Sequence, residues 1–247
     1  MNSGIGCERC QPLLPSATMR LNQAWLATRQ RIAFAVTLCA LTLTLRPMTV
    51  AAQRAAEAKY VDPARAAELA QRSIVLMKQG EDAYDPAQKE QLYREGYDLA
   101  QQAVAADDSN ADAHFALFAT MGRVMLADGV TLNPFSLVRV NRELERALEL
   151  NPQHSDALAA KGGLYRQLPR LLGGNLSKAE QYLQRSIELD PNAVGARIEL
   201  ALTYQEMGEA EKAVEPLKLA AAIAEQQGKT RQLYEARELL STIQPKN

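Results

Sequence analysis

ELDPNAVGARIELALTYQEMGEAEKAVEPLKLAAA, residues 188–222, decides the fold. Asp190 and Pro191 end one apolar pattern, and a new one begins within a few residues. Leu200, Ala201 and Tyr204 then share one helical face, Gly208 interrupts, and Ala213, Leu217 and Ala220 share another. Spacings of three and four residues are the helical period, and an isolated glycine between two such runs reads as a tight turn joining them. The stretch is therefore a helix–turn–helix unit with alanine at intervals on its inner faces. Small residues let two helices approach closely, and large ones fill the groove beside them.

The opening of this stretch recurs. AADDSNADA (105–113), ELNPQHSDA (149–157) and ELDPNAVGA (188–196) each end a helix, turn through Asp or Asn, and open a new alanine-rich helix. A spacing near 40 residues between such turns signals a helix-pair repeat. Asp62-Pro63 and Asp85-Pro86 add two starts in which a capping aspartate precedes proline at the first helical position. Reading outward from these signals predicts nine helices, at about 62–79, 85–106, 110–127, 134–150, 155–168, 176–189, 193–207, 209–226 and 230–243. No segment alternates with period two over a strand's length. Composition agrees: 47% apolar, 23% charged and only 5% aromatic residues suit long amphipathic helices better than a sandwich of strands. The net charge of −1 offers no global footprint for nucleic acid.

These residues resemble the tetratricopeptide repeat (TPR) family, whose unit is a helix pair of about 34 residues. In the last full unit Leu200, Ala201, Tyr204, Gly208, Ala213, Leu217 and Ala220 fall on the family's signature positions. The unit before matches through Gly162, Tyr165, Gly174, Ala179, Leu183, Ser186 and Pro191. Earlier units match through Leu144, Ala147 and Pro152, and through Gly96, Ala100 and Ala103. The family's tryptophan position is not tryptophan in any unit. The resemblance covers about 62–243 and implies an all-α solenoid of stacked helix pairs. It also gives Gly162, Tyr165, Gly174, Ala179, Leu183, Ala201, Tyr204, Gly208, Ala213 and Ala220 packing roles within the repeats.

Two turns inside pairs are enlarged. In LPRLLGGN (168–175) the five residues Pro169 to Gly173 are surplus to the repeat. Pro169 is expected to end a helix, Leu171 and Leu172 to pack back on the core, and the glycine pair to allow positive φ. GRVMLADGVTLNP (122–134) lengthens the preceding pair in the same way. A TPR run with these two enlarged turns is similar in layout to exported bacterial TPR proteins and to the regulator-of-microtubule-dynamics proteins. The segments ADAHFALFATMGRV, LERALELNPQH, LPRLLGGNLSKAEQYL and SIELDPN carry that likeness in order.

The first 52 residues read as a leader. Arg29, Gln30 and Arg31 precede a 14-residue apolar run, Ile32 to Leu45, and small residues follow, with Val50 and Ala52 placed for cleavage before Gln53. At about 1.5 Å per residue the run spans about 21 Å, short of the roughly 30 Å hydrocarbon core. Export, to a periplasm, is thus the expectation; an inner-membrane anchor through residues 32–45 is the alternative, and the only membrane contact foreseen. Met19 is a candidate true start, which makes MRLNQAWLATRQR an ordinary basic n-region. Residues 53–61 read as a linker and 244–247 as a tail. Cys7, Cys10 and Cys39, the three cysteines, all precede Gln53. The CxxC of Cys7 and Cys10 lacks the second ligand pair that zinc requires. From Gln53 onward Lys+Arg number 23 (28 less five) and Asp+Glu 28 (29 less one), a balance of −5.

No catalytic constellation emerges, and neither an enzyme activity nor a cofactor or metal is expected. Gly228-Lys229-Thr230 lacks the glycine at 223 and the preceding strand of a phosphate loop, and reads as a helix end followed by a cap at Thr230. His114 and His154 lie 40 residues apart with no ligand at i+4, and read as solvated or partly packed polar side chains. Glu143, Glu145, Glu188 and Glu199 read as solvated helix faces. What remains is surface. Stacked pairs form a superhelix whose first helices line an inner groove. TPR positions that face inward select Phe115, Ala119, Arg123, Ala159, Gly163, Arg166, Ile198, Leu202 and Gln205. Of these Phe115, Arg123, Arg166, Ile198, Leu202 and Gln205 are the candidate partner-binding residues, with Arg123 and Arg166 suited to an acidic group. A protein-interaction scaffold is the function expected; the alternative is an accessory of a solute transport system that binds a small ligand or a carrier protein. The last helix reads as a cap on the final pair, and self-association stays open.

Overall fold

The computed structural model describes residues 61–129 and 134–243. The leader, Met19, the cysteines, residues 53–60 of the linker, the tail and part of the 122–134 turn lie outside the described residues. Within them the chain is all helix: α1 Pro63–Asp82, α2 Pro86–Ala106, α3 Ala111–Ala127, α4 Pro134–Leu150, α5 Ser155–Gln167, α6 Leu176–Leu189, α7 Val194–Glu206, α8 Ala210–Gln226 and α9 Thr230–Ile243. A 3-10 turn, Arg170–Leu172, stands between α5 and α6.

Local chemistry sets the helix starts. The Asp62 and Asp85 carboxylates accept from the amides of Arg65 and Gln88, each at 3.0 Å, and proline follows each cap. Asn110 and Asn175 do the same for Ala113 and Lys178, at 2.9 and 3.0 Å. Each cap satisfies an amide that the helix itself leaves unpaired. The recurring sequence turns are one backbone structure used three times. Asp107, Asn151 and Asp190 each accept, through a side-chain oxygen, from the amide two residues on (Ser109, Gln153 and Asn192, at 2.9–3.0 Å). Each backbone carbonyl also accepts from the amide three residues on, in Asn110, His154 and Ala193. Asp and Asn favour this geometry because their short side chains reach their own downstream backbone. Identical turns between successive pairs give the stack its regularity.

Packing follows the sequence of small and large residues. Helices pair as α1·α2, α3·α4, α5·α6 and α7·α8, and α9 lies against α8 and α7. Ala66, Ala100, Ala103, Ala113, Ala116, Ala147, Ala157, Ala179, Ala201, Ala213, Ala220 and Ala236 are wholly buried at the helix contacts. Leu144, Leu183 and Leu217 are the largest wholly buried side chains, one in each of α4, α6 and α8. Burying a leucine is worth about 1.5–3 kcal/mol, so these three side chains dominate their pairs. Leu233, Leu239, Leu240 and Ile243 of α9 cover the apolar edge left by α7 and α8.

The enlarged turn differs from the expectation. Leu171 is 99% and Leu172 47% exposed, so neither packs back on the core. Backbone bonds hold the turn instead. Pro169 O accepts from the amides of Leu172 (2.8 Å) and Gly174 (3.1 Å), and Tyr165 O accepts from Asn175 N (2.8 Å). Gly173 adopts φ +97°, which a side chain disfavours. Gly174 is required for a different reason: a Cβ there would sit 1.7 Å from Leu168 O. With the turn closed by its backbone, the two leucines are left pointing outward. A smaller correction concerns Thr230, which is the first residue of α9 rather than its cap.

Candidate functional site

The first helix of each pair lies beside the first helix of a neighbour: α1 touches α3, α5 touches α7, and α7 touches α9. These contacts form the inner face. Arg166 projects from the end of α5, its side chain 13% exposed. Its Nε donates to Glu199 Oε2 at 2.9 Å and its Nη1 to Glu206 Oε1 at 2.6 Å, both carboxylates on α7. Burial works against the guanidinium's charge, but the bond and attraction of Glu199, then of Glu206, outweigh it and raise its pKa. Arg123, at the end of α3, pairs with Glu81 of α1. Both arginines foreseen as receptors for an acidic group are thus already neutralised by carboxylates of the chain.

The other candidate residues divide. Ile198 is only 3% exposed and belongs to the core of α6–α9, which removes it as a surface contact. Leu202 is partly buried against the same core, and Gln205 is half-exposed one turn further along α7. Phe115 is half-buried, its ring 6.1 Å from Phe118 and 4.8 Å from His154. Gly163 leaves room beside the Glu199 carboxylate, which stands 3.5 Å from where its Cβ would be.

Residues assigned to packing sit at the pair interfaces. At Gly162 a Cβ would meet Leu183 Cγ at 2.6 Å and Ala179 O at 3.1 Å, so α5 and α6 touch through a missing side chain. Tyr165 stacks on Tyr182 at 5.5 Å between ring centres, with the Lys161 and Lys178 ammonium groups each 5.3 Å from its ring. Tyr204 is 7% exposed; its hydroxyl donates to Glu180 Oε1 at 3.1 Å and accepts from Gln184 Nε2 at 3.2 Å. Ala179, Leu183, Ala201, Ala213 and Ala220 are wholly buried, Gly174 lies in the enlarged turn, and Gly208 turns the chain at φ +80°.

The histidines and acidic residues are more structural than their sequence context suggests. His114 is 4% exposed, with Glu143 Oε2 at 2.8 Å from Nδ1 and Asp108 O at 3.0 Å from Nε2. His154 Nδ1 caps α5 by accepting from Ala157 N at 3.3 Å, and its Nε2 lies 3.1 Å from Asp112 Oδ1. That bond is the main cause holding the Asp112 carboxyl below its ordinary value, with burial opposing. Glu143, Glu145 and Glu199 therefore do not lie idle on solvated faces: they pair with His114, Lys161 and Arg166 across helices. Only Glu188 keeps to an exposed pair, with Arg185 of its own helix. Periodicity places such residues on a polar stripe but does not tell which stripe faces the next repeat. Among the described residues no group of three or more His, Cys, Asp or Glu side chains is placed to hold a metal ion.

One set of inner-face charges was not foreseen. Arg231 at the start of α9 donates through Nη2 to Glu81 Oε2 at 2.7 Å and lies 3.6 Å from Asp82. Glu235, one turn on, is 3.9 Å from Arg231. Burial is the first cause raising the Glu235 pKa; Arg231 opposes, and Glu199, Glu81 and Glu238 add to the rise. The inner face thus gathers Glu81, Asp82, Glu199, Glu206 and Glu235 around Arg123, Arg166 and Arg231, two more carboxylates than guanidiniums. The sequence signal was weak: RQLYEARELL reads as a shielding cap, and its polar side has no marker for the groove.

Residues 155–193 match the tetratricopeptide repeat model, and residues 48–171, half of the 247-residue chain, match the model of regulator of microtubule dynamics protein 1-3. No curated protein matches the chain. Solved structures similar to it include MamA (21% identity over 64% of this chain and 81% of that one, TM-score 0.40). PilF of Pseudomonas aeruginosa is similar at 18% identity over 74% of this chain and 78% of that one, with TM-score 0.45. The first TPR domain of Spaghetti, bound to an HSP90 peptide, is similar at 21% identity over 60% of this chain and 98% of that one, with TM-score 0.38. Tetratricopeptide repeats generally serve as non-catalytic scaffolds for protein–protein interaction, and the repeats place this chain in that broad class. With helix pairs, signature packing residues and a match across half its length, the chain belongs to the regulator of microtubule dynamics protein 1-3 family of TPR proteins.

Proposed function

We propose that the chain is a non-catalytic scaffold of the cell envelope that holds an extended segment of a partner protein in its inner groove. The observation that carries this reading is the inner face itself: an array of paired charges together with the partly buried Gln205, Leu202 and Phe115. A peptide in a groove needs apolar contact for affinity and prearranged polar groups for register. Envelope placement rests on the basic, apolar and small residues of 29–53. Because carboxylates outnumber guanidiniums along the face, a segment bearing Lys or Arg suits it better than the acidic one foreseen from Arg123 and Arg166.

The test is capture of the partner by the full-length chain in living cells, comparing the natural protein with Gln205→Trp. Tryptophan at this partly exposed position enlarges the side chain on the inner face. Loss of one defined partner, with helicity and melting temperature unchanged, is the outcome expected. Undiminished capture of the same partner by the variant contradicts groove binding.

A further inference from the structure

In a helix-pair solenoid each repeat contacts its neighbours, and distant repeats meet only if the superhelix curls back on itself. Here the first and last described helices do meet. Arg231 of α9 bonds Glu81 of α1 across 150 residues of sequence, and its Nε faces Asp82. Glu81, only 14% exposed, is shared: its other oxygen takes Arg123 of α3. On the α9 side Glu235 stands against Arg231, and Glu199 of α7 and Glu238 lie close enough to act on Glu235 electrostatically. The same Glu199 holds Arg166 of α5. Among the described residues the five inner helices therefore feed one charge network, and Arg231 supplies the ion pairs that join its two ends.

We infer that the contact of Arg231 with Glu81 and Asp82 is an ionic clasp that closes the inner groove between its first and last helices, and that the groove admits a segment when the clasp opens. The role in admission rests on the groove reading above; the clasp itself does not. Its construction fits a gate rather than a rivet. Arg231 is 49% exposed, so water and salt compete for it. The Debye length falls from about 10 Å at 0.1 M salt to about 3 Å at 1 M, so the clasp weakens within an accessible range while the buried core does not. Arg123 holds the other oxygen of Glu81, so the two arginines do not compete for one atom.

The experiment uses the full chain with Cys7, Cys10 and Cys39 replaced by serine and spin labels at Tyr84→Cys and Tyr234→Cys, two exposed positions on either side of the clasp. At low salt the natural clasp gives one short, narrow distance distribution. Arg231→Glu, which sets like charges against Glu81 and Asp82, shifts the distribution to longer distances and broadens it; 1 M salt does the same, and Arg231→Lys stays near the natural distance. A distribution unmoved by both Arg231→Glu and salt overturns the clasp. Admission is read separately, from the rate at which Gln205→Cys, in the same serine background, reacts with a bulky maleimide polymer. A several-fold faster reaction in Arg231→Glu, with Arg231→Lys near the natural rate, supports gating; equal rates in all three overturn it. Neither measurement needs a partner, so a failed partner capture and a failed clasp are told apart.

Discussion

Adjacent glycines in α5 should respond to the same substitution with opposite sign. Gly162 and Gly163 are both buried in the interior of Ser155–Gln167. Alanine in a helix interior is favoured over glycine by about 1 kcal/mol, and each site gains this much. At Gly163 the new methyl's nearest neighbour is Glu199 Oε2 at 3.5 Å, an ordinary contact, so Gly163→Ala should stabilise by about 0.5–1 kcal/mol. At Gly162 the methyl would stand 2.6 Å from Leu183 Cγ and 3.1 Å from Ala179 O. A branch carbon of a wholly buried leucine and a backbone oxygen cannot both step aside, so α5 and α6 must separate. Overpacking of this kind costs about 1–3 kcal/mol, leaving Gly162→Ala destabilised by about 1 kcal/mol after the helical gain. For a chain of this length 1 kcal/mol moves Tm by about 2–4 °C, so the two variants should differ by about 4–8 °C. Thermal unfolding followed by circular dichroism reads this directly. A further arm isolates the cause: in a Leu183→Ala background, itself about 2–5 kcal/mol less stable, the Gly162→Ala penalty should shrink by about 1 kcal/mol or more, because the contact with Leu183 is gone and only the 3.1 Å approach to Ala179 O remains. Equal melting temperatures for the two glycine variants, or a Gly162→Ala penalty undiminished beside Ala at 183, refute close approach to Leu183 as the reason for this glycine.

Other outcomes follow from the same geometry. Gly174→Ala forces a Cβ to within 1.7 Å of Leu168 O, which only backbone movement relieves; it should cost about 2 kcal/mol or more, while Leu171→Ser, at a 99% exposed site, should change stability by less than about 0.5 kcal/mol in the same denaturation series. The Asp112 carboxyl is held below its unfolded-state value of 3.8 mainly by His154, so its contribution is present above that value and lost as pH falls through the depressed one. His154→Ala should therefore flatten part of the acid limb of urea-midpoint against pH. Glu235 titrates in the opposite sense. Its pKa is raised chiefly by burial, so the stability it confers is complete below 4.5 and lost as pH rises through the raised value; Glu235→Gln should raise the urea midpoint at neutral pH and leave it little changed in acid.

The helices were legible because local chemistry fixes them. Asp62-Pro63, Asp85-Pro86, the Asp/Asn turns at 107, 151 and 190, and the break at Gly208 each carry a cap or turn that acts within four residues. Alanine and leucine spacing then gave the faces that pack. What the sequence did not disclose depends on neighbours far along the chain. Leu171 and Leu172 are apolar, but the 3-10 turn that carries them is closed by backbone bonds and presents them to water. Ile198 has the spacing of an inner-face residue, yet the core takes it in. Arg166 and Arg123 were visible as cations but not as pairs, since Glu199, Glu206 and Glu81 lie 33, 40 and 42 residues away. Arg231 and Glu81 are joined only by the curl of the whole stack.

Site-specific photo-crosslinking in living cells tests the groove account most directly. One photoreactive residue is placed at Gln205, on the inner face of α7, and in a second full-length protein at Lys218, exposed on α8. The account predicts one defined partner crosslinked from position 205 and not from 218, with the crosslinked peptide of that partner carrying Lys or Arg. The same partner crosslinked equally from both positions, or from 218 alone, contradicts it.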